Sequence, residues 1–393
     1  MKHGSGSMLV VLAVLGGVAA GATPLSAQSI LNSRGLGLPV AAMDGRAAAL
    51  GGVGVALSGG ELLVSDPASA GVLLLPTLVL VSQPGNLSFS LGEETGSGSA
   101  NRFPLLGVAY PVRGSGMLTF TLGSFLDQRW RTSLEREVNL GSGAVPVVDT
   151  FESDGGVARV QFGYVHRLGG GVTAGVTAGA HSGEWNRTFT RQFDTLSVGR
   201  DVEDFLEEGH WRVTGPTGSA GLSWSPGSSF RVAGSATWSG RLTATPDAVT
   251  EGDTVSYGLP WEFRVGASGA LTPDLTLNIG MHRAAWDGDG FGVDEQVRAT
   301  TTVGGGLEFT GSSFWGRSLP IRLGYRQSQL PFQFEGEFPS ERIFSGGVGW
   351  LLASVESIPL ARFDLALERG RREAGSLTER FLRTTISIRV SGG

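Results

Sequence analysis

The residues best able to do chemistry are charged side chains that recur two or four positions apart within apolar segments. Arg322 and Arg326 alternate with Ile321, Leu323 and Tyr325, so the two guanidinium groups share one face of a strand. A guanidinium on such a face can bind a carboxylate through paired hydrogen bonds. Opposite charges that neutralise one another fit the same pattern, and we favour this interior network over a carboxylate-binding arginine. The candidate lumen charges are Arg159, Arg264, Glu308, Arg322, Arg326, Asp364, Glu368, Arg383 and Arg389.

The patterns typical of catalysis or metal binding are weak. No histidine after residue 100 has the spacing of a zinc ligand set. His181 and Ser182 are adjacent, but neighbours on a strand face opposite ways, so they do not form a catalytic pair. The acidic run 201–208 lacks the ligand spacing of a calcium loop and is predicted to be a solvated loop. We therefore expect no enzyme activity, no metal site and no cofactor.

The amino-acid composition excludes several classes of protein and site. The 393 residues include 63 glycines and no cysteine, which excludes a disulfide framework, thiolate–metal sites and a lipoprotein anchor. A net charge of −6 without any basic run argues against a nucleic-acid partner. Residues 1–27 combine Lys2 and His3, a short apolar run at 8–20 and small residues at 26–27, which predicts a cleaved secretory signal.

After residue 77, a two-residue alternation of apolar and polar side chains predicts strands throughout. Leu275, Leu277, Ile279 and Met281, for example, alternate with polar or small neighbours. Tight connections alternate with longer polar ones, which is typical of barrels with short periplasmic turns and long outer loops. We predict an all-β, antiparallel transmembrane barrel of about fourteen strands: 77–93, 103–113, 116–131, 156–167, 171–192, 210–224, 229–245, 253–271, 274–286, 298–310, 319–328, 340–351, 361–371 and 379–390.

Two further predictions concern an irregular strand and the positions of the tryptophans. The stretch 83–86 has the sequence of a turn, but a turn there makes the strand count odd, so we predict one irregular strand. Tryptophans near the strand ends suggest two interfacial girdles, because an amphipathic ring favours the headgroup level. We place Trp211, Trp261 and Trp286 at the long-loop end, and Trp224, Trp315 and Trp350 at the short-turn end.

Residues 28–76 differ from the strands that follow. The stretch 46–57 is small, apolar and punctuated by glycine, and a turn signal follows at 65–68. The segment is too short for a domain and too apolar for a tail, so we expect it to pack inside something larger. The predicted organisation is therefore a signal peptide at 1–27, an inserted segment at 28–76 and a barrel at 77–393.

This segment carries a resemblance to a known family. Residues 51–57 read Gly-Gly-Val-Gly-Val-Ala-Leu, and residues 66–71 read Asp-Pro-Ala-Ser-Ala-Gly. They resemble the hatch segment of the FadL-like outer-membrane transporters of long-chain fatty acids and other hydrophobic compounds. The chain has Asp66 where that family usually has asparagine, and it lacks the aromatic residue that usually precedes this position. The same pattern is similar to PorV-like barrels attached to a protein secretion system. The matching positions are Gly51, Gly52, Gly54, Asp66, Pro67 and Ala68.

The resemblance implies a hatch in the lumen, an apolar binding pocket and a lateral exit at a kinked third strand. Gly123 and Ser124 are the candidate kink in this sequence. The expected function is gated passive diffusion of fatty acids or hydrocarbons across a Gram-negative outer membrane, with membrane lipid and the hydrophobic ligand as partners and a monomeric state. The alternative is a structural or secretion-associated barrel that transports no small molecule.

Overall fold

The structure, a computed structural model, describes residues 29–139, 144–194, 203–286, 289–291, 295–355 and 358–392. The predicted signal peptide and positions 201–202 of the acidic run lie outside the described residues. From Thr77 onward the chain forms a closed antiparallel barrel of fourteen strands, in which the first strand pairs with the last through Thr77↔Ser391. The predicted antiparallel barrel and its strand count are confirmed.

Strands β1 to β7 are Thr77–Leu91, Glu94–Pro111, Gly116–Asp127 continued by Trp130–Asn139, Ala144–Gly169, Val172–Phe193, Phe205–Trp224, and Phe230–Ser239 continued by Leu242–Pro246. Strands β8 to β14 are Val255–Tyr257 continued by Trp261–Thr272, Leu275–Ala285, Thr300–Phe309, Ile321–Gln329, Ser340–Val355, Ile358–Ala374 and Leu377–Ser391. The stretch 83–86 lies within β1, which has a register shift between Val81 and Gln83.

The alternating apolar and polar side chains of the sequence lie on the outer and inner faces of the barrel wall. On β9, Leu277, Ile279 and Met281 are exposed on the outside, whereas Asn278 between them is buried. An apolar outer face with a polar inner face is the pattern of a barrel surrounded by lipid. No helix among the described residues is long and apolar enough to cross a bilayer.

Several strands extend beyond the predicted bounds. Stretches 94–102, 144–155 and 377–379, expected in loops, belong to β2, β4 and β14. β4 contains 26 residues and β5 contains 22, which exceeds the roughly 9–11 residues that a tilted strand needs to cross a membrane. Outside the lipid a strand needs backbone pairing but no apolar face, so these ends carry no alternating pattern and were missed.

The tryptophans assigned to the girdles differ in exposure, and Trp211 packs, partly buried, against the apolar cluster that also contains Trp286. Trp224, Trp261 and Trp315 are 45%, 49% and 79% exposed. Trp286 is only 7% exposed and packs edge-on against Phe332, with a ring-centroid distance of 5.4 Å, in an apolar cluster near the long-loop end. Its interfacial assignment is wrong because proximity to a strand end does not reveal whether a side chain points outward or inward.

The N-terminal segment, residues 29–76, lies inside the barrel. Its only α-helix, α1 (Gly45–Ala49), is buried, and Asp44 caps it by accepting a hydrogen bond from the backbone N of Ala47 at 2.8 Å. The segment approaches the wall at separate strands. A Cβ built on Gly107 of β2 would lie 2.5 Å from Leu62, and one built on Gly324 of β11 would lie 2.2 Å from the Gly51 nitrogen. At Gly324 the neighbouring atom belongs to the backbone, so this close approach requires glycine in the wall.

Candidate functional site

A cavity of about 200 Å³ lies between the N-terminal segment and the barrel wall. The segment lines it with apolar side chains, including Leu38, Val40 and Met43, whereas the wall lines it mainly with polar and charged groups. A space that is apolar on one side and charged on the other is suited to an amphiphilic molecule.

One group of charges at this cavity is unbalanced. Glu262 accepts hydrogen bonds from Arg159 Nη2, at 2.5 Å, and from Arg264 Nη2. His282 Nε2 lies 3.0 Å from the same carboxylate. The remaining donors Arg159 Nε and Arg264 Nη1 are buried without a hydrogen-bond partner among the described residues. Two guanidinium groups therefore share one carboxylate, which leaves positive charge and unused donors beside the cavity.

The bulged residue Phe125 lies beside this charged group. Its ring centroid lies 4.6 Å from the Arg159 guanidinium carbon and 4.4 Å from the ring of the buried His181. An arginine over an aromatic face is attracted to the electron-rich ring. Phe125 therefore fixes the position of Arg159 on the cavity wall.

A second group of charges at the cavity is balanced. Arg326 Nη2 lies 3.3 Å from Glu368, and Arg383 Nη2 lies 3.4 Å from the same Glu368 oxygen. Arg372 binds Glu341 at 2.8 Å and Glu379 at 3.1 Å. Three arginines thus face three glutamates, so this group has no net charge to offer a ligand.

A third group holds the N-terminal segment to the wall. Arg46 Nε donates to Glu308 on β10 at 2.9 Å, and Arg322 donates to the same carboxylate at 2.7 Å. Glu61 accepts from Arg362 at 2.8 Å and from Arg389 at 3.3 Å. Burial raises the pKa of Glu61, but Arg362, Arg389 and Arg46 lower it further, so the net pKa lies well below its usual range.

The motif residues 51–54 and 66–68 serve close packing between this segment and the wall. Gly51 has φ +74°, and a Cβ there would lie 2.4 Å from the Tyr325 carbonyl oxygen. Gly52 has φ +69°, and a Cβ on Gly54 would meet Ser65 Oγ at 2.4 Å. The positive φ values of Gly51 and Gly52, together with the backbone contact at Gly51, therefore favour glycine at these two positions.

Asp66 of this motif is buried and forms a local turn. It accepts hydrogen bonds from the backbone N of Ala56 at 3.2 Å and of Ala68 at 3.1 Å. Arg231 of β7 lies 3.6 Å away, which gives the aspartate a counter-charge that an asparagine would not need. Pro67 packs against Gly175 and the buried Ala68 follows it.

Beside the cavity, β2 and β3 separate into a seam. Their ladder runs from Pro111↔Met117 to Leu105↔Gly123. Beyond that pair, the described residues of β2 and β3 no longer pair with each other. β2 remains paired with β1 on its other side, and β3 remains paired with β4. The free edge of β3 pairs instead with the short strand Leu38–Pro39 of the N-terminal segment.

Gly123 and Ser124, the residues named as a candidate kink, lie at the start of this seam and line the cavity. The irregularity itself falls just after them. A register shift between Ser124 and Leu126 makes Phe125 a bulge, and the strand is interrupted at residues 128–129.

The structure distributes the predicted lumen charges over all three groups. Arg159 and Arg264 belong to the first, Arg326 and Glu368 to the second, and Glu308 and Arg322 to the third. The partners Glu262, Glu341 and Glu61 were missed. Glu262 lies two positions from Arg264 on the same strand face, so the two-residue alternation could have identified it. Glu61 lies outside the strands and has no periodic signal. The described residues contain no His, Asp and Glu group that could hold a metal ion.

Comparisons with known proteins point to one fold. No protein-family model and no curated protein matches the chain. Among solved structures, it is similar to the CymD monoaromatic hydrocarbon channel, with 14% identity, a TM-score of 0.55, and coverage of 89% of this chain and 97% of that one. The Ralstonia pickettii toluene transporter TbuX has 14% identity and a TM-score of 0.57, with 89% and 98% covered.

A Pseudomonas aeruginosa FadL homologue is also similar, with 10% identity and a TM-score of 0.57 over 94% of this chain and 99% of that one. At such low identities the similarity concerns the fold alone. The predicted FadL-like barrel fold is thereby confirmed.

Proposed function

We propose that this FadL-like barrel resides in a Gram-negative outer membrane and takes up hydrophobic small molecules by passive diffusion. The observation that carries the proposal is the cavity between an apolar N-terminal segment and a charged wall, placed directly beside the seam between β2 and β3. The apolar outer face of the barrel and the fold shared with hydrocarbon channels support the same function.

The ligand class we propose is an amphiphile with an anionic head group, such as a long-chain fatty acid. Arg159 and Arg264 line the cavity and share the single carboxylate of Glu262, so they provide a positive charge that a ligand carboxylate can neutralise. A neutral hydrocarbon offers no such acceptor. The tail would lie along the apolar side chains of residues 38–43, where each buried CH₂ contributes about 0.8 kcal/mol.

In this account the N-terminal segment acts as a hatch. Its ion pairs with β10, β13 and β14 fix one side of it, and the short strand Leu38–Pro39 covers the edge of β3 at the seam. A ligand held in the cavity would then leave sideways, between β2 and β3, into the lipid.

The test is ligand binding by the detergent-purified protein, measured by displacement of a fluorescent fatty acid. We expect oleic acid to bind more tightly than oleyl alcohol or a hydrocarbon of equal length. Arg264→Gln should weaken oleic acid binding by about tenfold, because one charge-assisted hydrogen bond is lost. Arg371→Gln is the control, since Arg371 is about half exposed and pairs only with Glu373 among the described salt bridges. Equal binding of acid, alcohol and hydrocarbon would contradict the proposed ligand class.

A structural or secretion-associated role is the alternative function, and one observation favours it. β4, β5 and β6 contain 26, 22 and 20 residues, so their outer ends form a sheet that projects well beyond a membrane-crossing length. Such a sheet could dock a partner protein. A stable protein complex together with absent ligand binding would favour this alternative.

A further inference from the structure

Side chains, rather than backbone pairing, close the seam between β2 and β3. Arg102 of β2 lies three residues beyond the last ladder pair, and its Nε donates to Asp127 Oδ2 of β3 at 2.6 Å. Its Nη2 lies 2.6 Å from the same oxygen. Ser124 Oγ adds a long hydrogen bond of 3.4 Å to the Phe103 carbonyl oxygen. The two Arg102 and Asp127 side chains are 14% and 4% exposed, so this bridge is shielded from water.

Asp127 binds a second cation, Arg129, whose Nη1 also donates a long hydrogen bond of 3.3 Å to the Asn101 carbonyl oxygen of β2 across the seam. Arg129 donates from its backbone N to Asp127 Oδ1 at 3.1 Å and from Nε to the same oxygen at 3.0 Å. If Arg102 leaves, Asp127 keeps this partner, so the buried carboxylate does not lose all its counter-charge. Leaving a buried charge without any partner is strongly unfavourable, and the contact between Asp127 and Arg129 avoids that cost.

Arg102 lines the cavity and also lines a smaller one of about 40 Å³ beside Arg372 and Arg383. The side chain that holds the seam therefore borders the space that a ligand inside the lumen would occupy. A ligand carboxylate in the cavity offers Arg102 the same chemistry as Asp127 does.

We propose that Arg102 is a latch that an anionic ligand releases. The ligand carboxylate replaces Asp127 on the Arg102 guanidinium, and Asp127 stays with Arg129. The long hydrogen bonds from Arg129 to Asn101 and from Ser124 to Phe103 then break, and β2 and β3 separate beyond Leu105 and Gly123. The inference rests on the proposed transport function and adds its regulation. A neutral ligand has no carboxylate to exchange, so it opens the seam more slowly.

The test measures transfer from protein to bilayer, with the full chain reconstituted in vesicles that carry lipopolysaccharide in the outer leaflet. Oleic acid and oleyl alcohol are the probes. For the unaltered protein we expect faster transfer of the acid. Arg102→Gln should speed the alcohol by about tenfold and remove most of the difference between the two probes, because the charge-assisted bridge no longer holds the seam. Asp127→Asn should act in the same direction.

Arg191→Gln is the matched control. Asp149 binds Arg191 at 2.7 Å and Arg136 at 2.5 Å, so it also lies between two arginines, but on the intact ladder between β4 and β5. We expect no change in transfer rate from this variant. Heat-modifiable migration verifies that each variant is folded. Unchanged alcohol transfer in folded Arg102→Gln, with binding intact, would overturn the latch, whereas absent binding in the unaltered protein would overturn the transport function itself.

Discussion

Arg46 and Glu61 form an ion pair within the N-terminal segment, with 2.7 Å between Nη1 and Oε1, and both side chains also bind the barrel wall. They are 6% and 1% exposed. The segment is therefore attached to the wall by a continuous buried network, which restricts any rearrangement to the part of the segment outside it, including residues 38–40 at the seam.

The two members of this pair should differ in importance. Removing Arg46 leaves Glu308 with Arg322, and leaves Glu61 with Arg362 and Arg389. Removing the Glu61 charge deprives Arg389 of its only carboxylate among the described salt bridges. We expect Glu61→Gln to destabilise the seated segment by about 3 kcal/mol, and Arg46→Gln by roughly half of that. Hydrogen exchange of the amides of residues 47–49 measures this. Equal protection in the two variants would contradict the assignment of Glu61 as the centre of the network.

Glycine in the wall should be indispensable where the segment approaches most closely. A Cβ at Gly324 would lie 2.2 Å from the Gly51 nitrogen and 2.6 Å from the Leu50 carbonyl carbon. Gly324→Ala should therefore displace α1 and raise protease cleavage within residues 45–60. At Gly346 the nearest atoms would be 3.5 Å away, so Gly346→Ala is a control that should leave cleavage unchanged. Similar cleavage patterns in the two variants would show that the segment does not pack as described.

Asp44 should make the stability of the segment depend on pH. Burial raises the pKa of this carboxyl from 3.8 to about 7, with Glu61 and Asp364 adding to the rise and Arg362 opposing it. Because the folded pKa is the higher one, the contribution of Asp44 is fully present below about pH 4, falls as the pH rises, and is lost above about pH 7.

Asp44→Asn isolates this dependence, since asparagine retains the helix cap but does not titrate. Between pH 4 and pH 7, we expect the unfolding temperature of the unaltered protein to fall relative to that of the variant. Above pH 7, we expect the difference between the two unfolding temperatures to stay constant. Thermal unfolding followed by circular dichroism measures the difference. A constant difference from pH 4 to pH 8 would contradict a raised pKa at Asp44.

The parts of the fold that were predictable from sequence are those with an apolar outer face. On β9 the exposed Leu277, Ile279 and Met281 alternate with inward residues because one face needs apolar groups, and this requirement is visible locally. The outer half of β4 has no such requirement, and its strand was predicted to begin at 156 instead of Ala144.

The candidate site was predictable only as a set of inward charges. The two-residue alternation identified Arg159 and Arg264 as inward-facing residues, but it could not show which carboxylate they share. The contact between Arg46 and Glu308 joins positions 262 residues apart, and no local pattern encodes it. The latch between Arg102 and Asp127 was missed for a similar reason, since it depends on where the β2–β3 ladder ends.

The most direct test of the central claim is transfer of oleic acid into asymmetric vesicles that carry lipopolysaccharide in the outer leaflet, with and without the reconstituted protein. We expect the rate to rise in proportion to the amount of folded protein and to fall by about tenfold for Arg264→Gln, which removes a positive charge from the cavity wall. A rate equal to that of protein-free vesicles would contradict transport through this barrel.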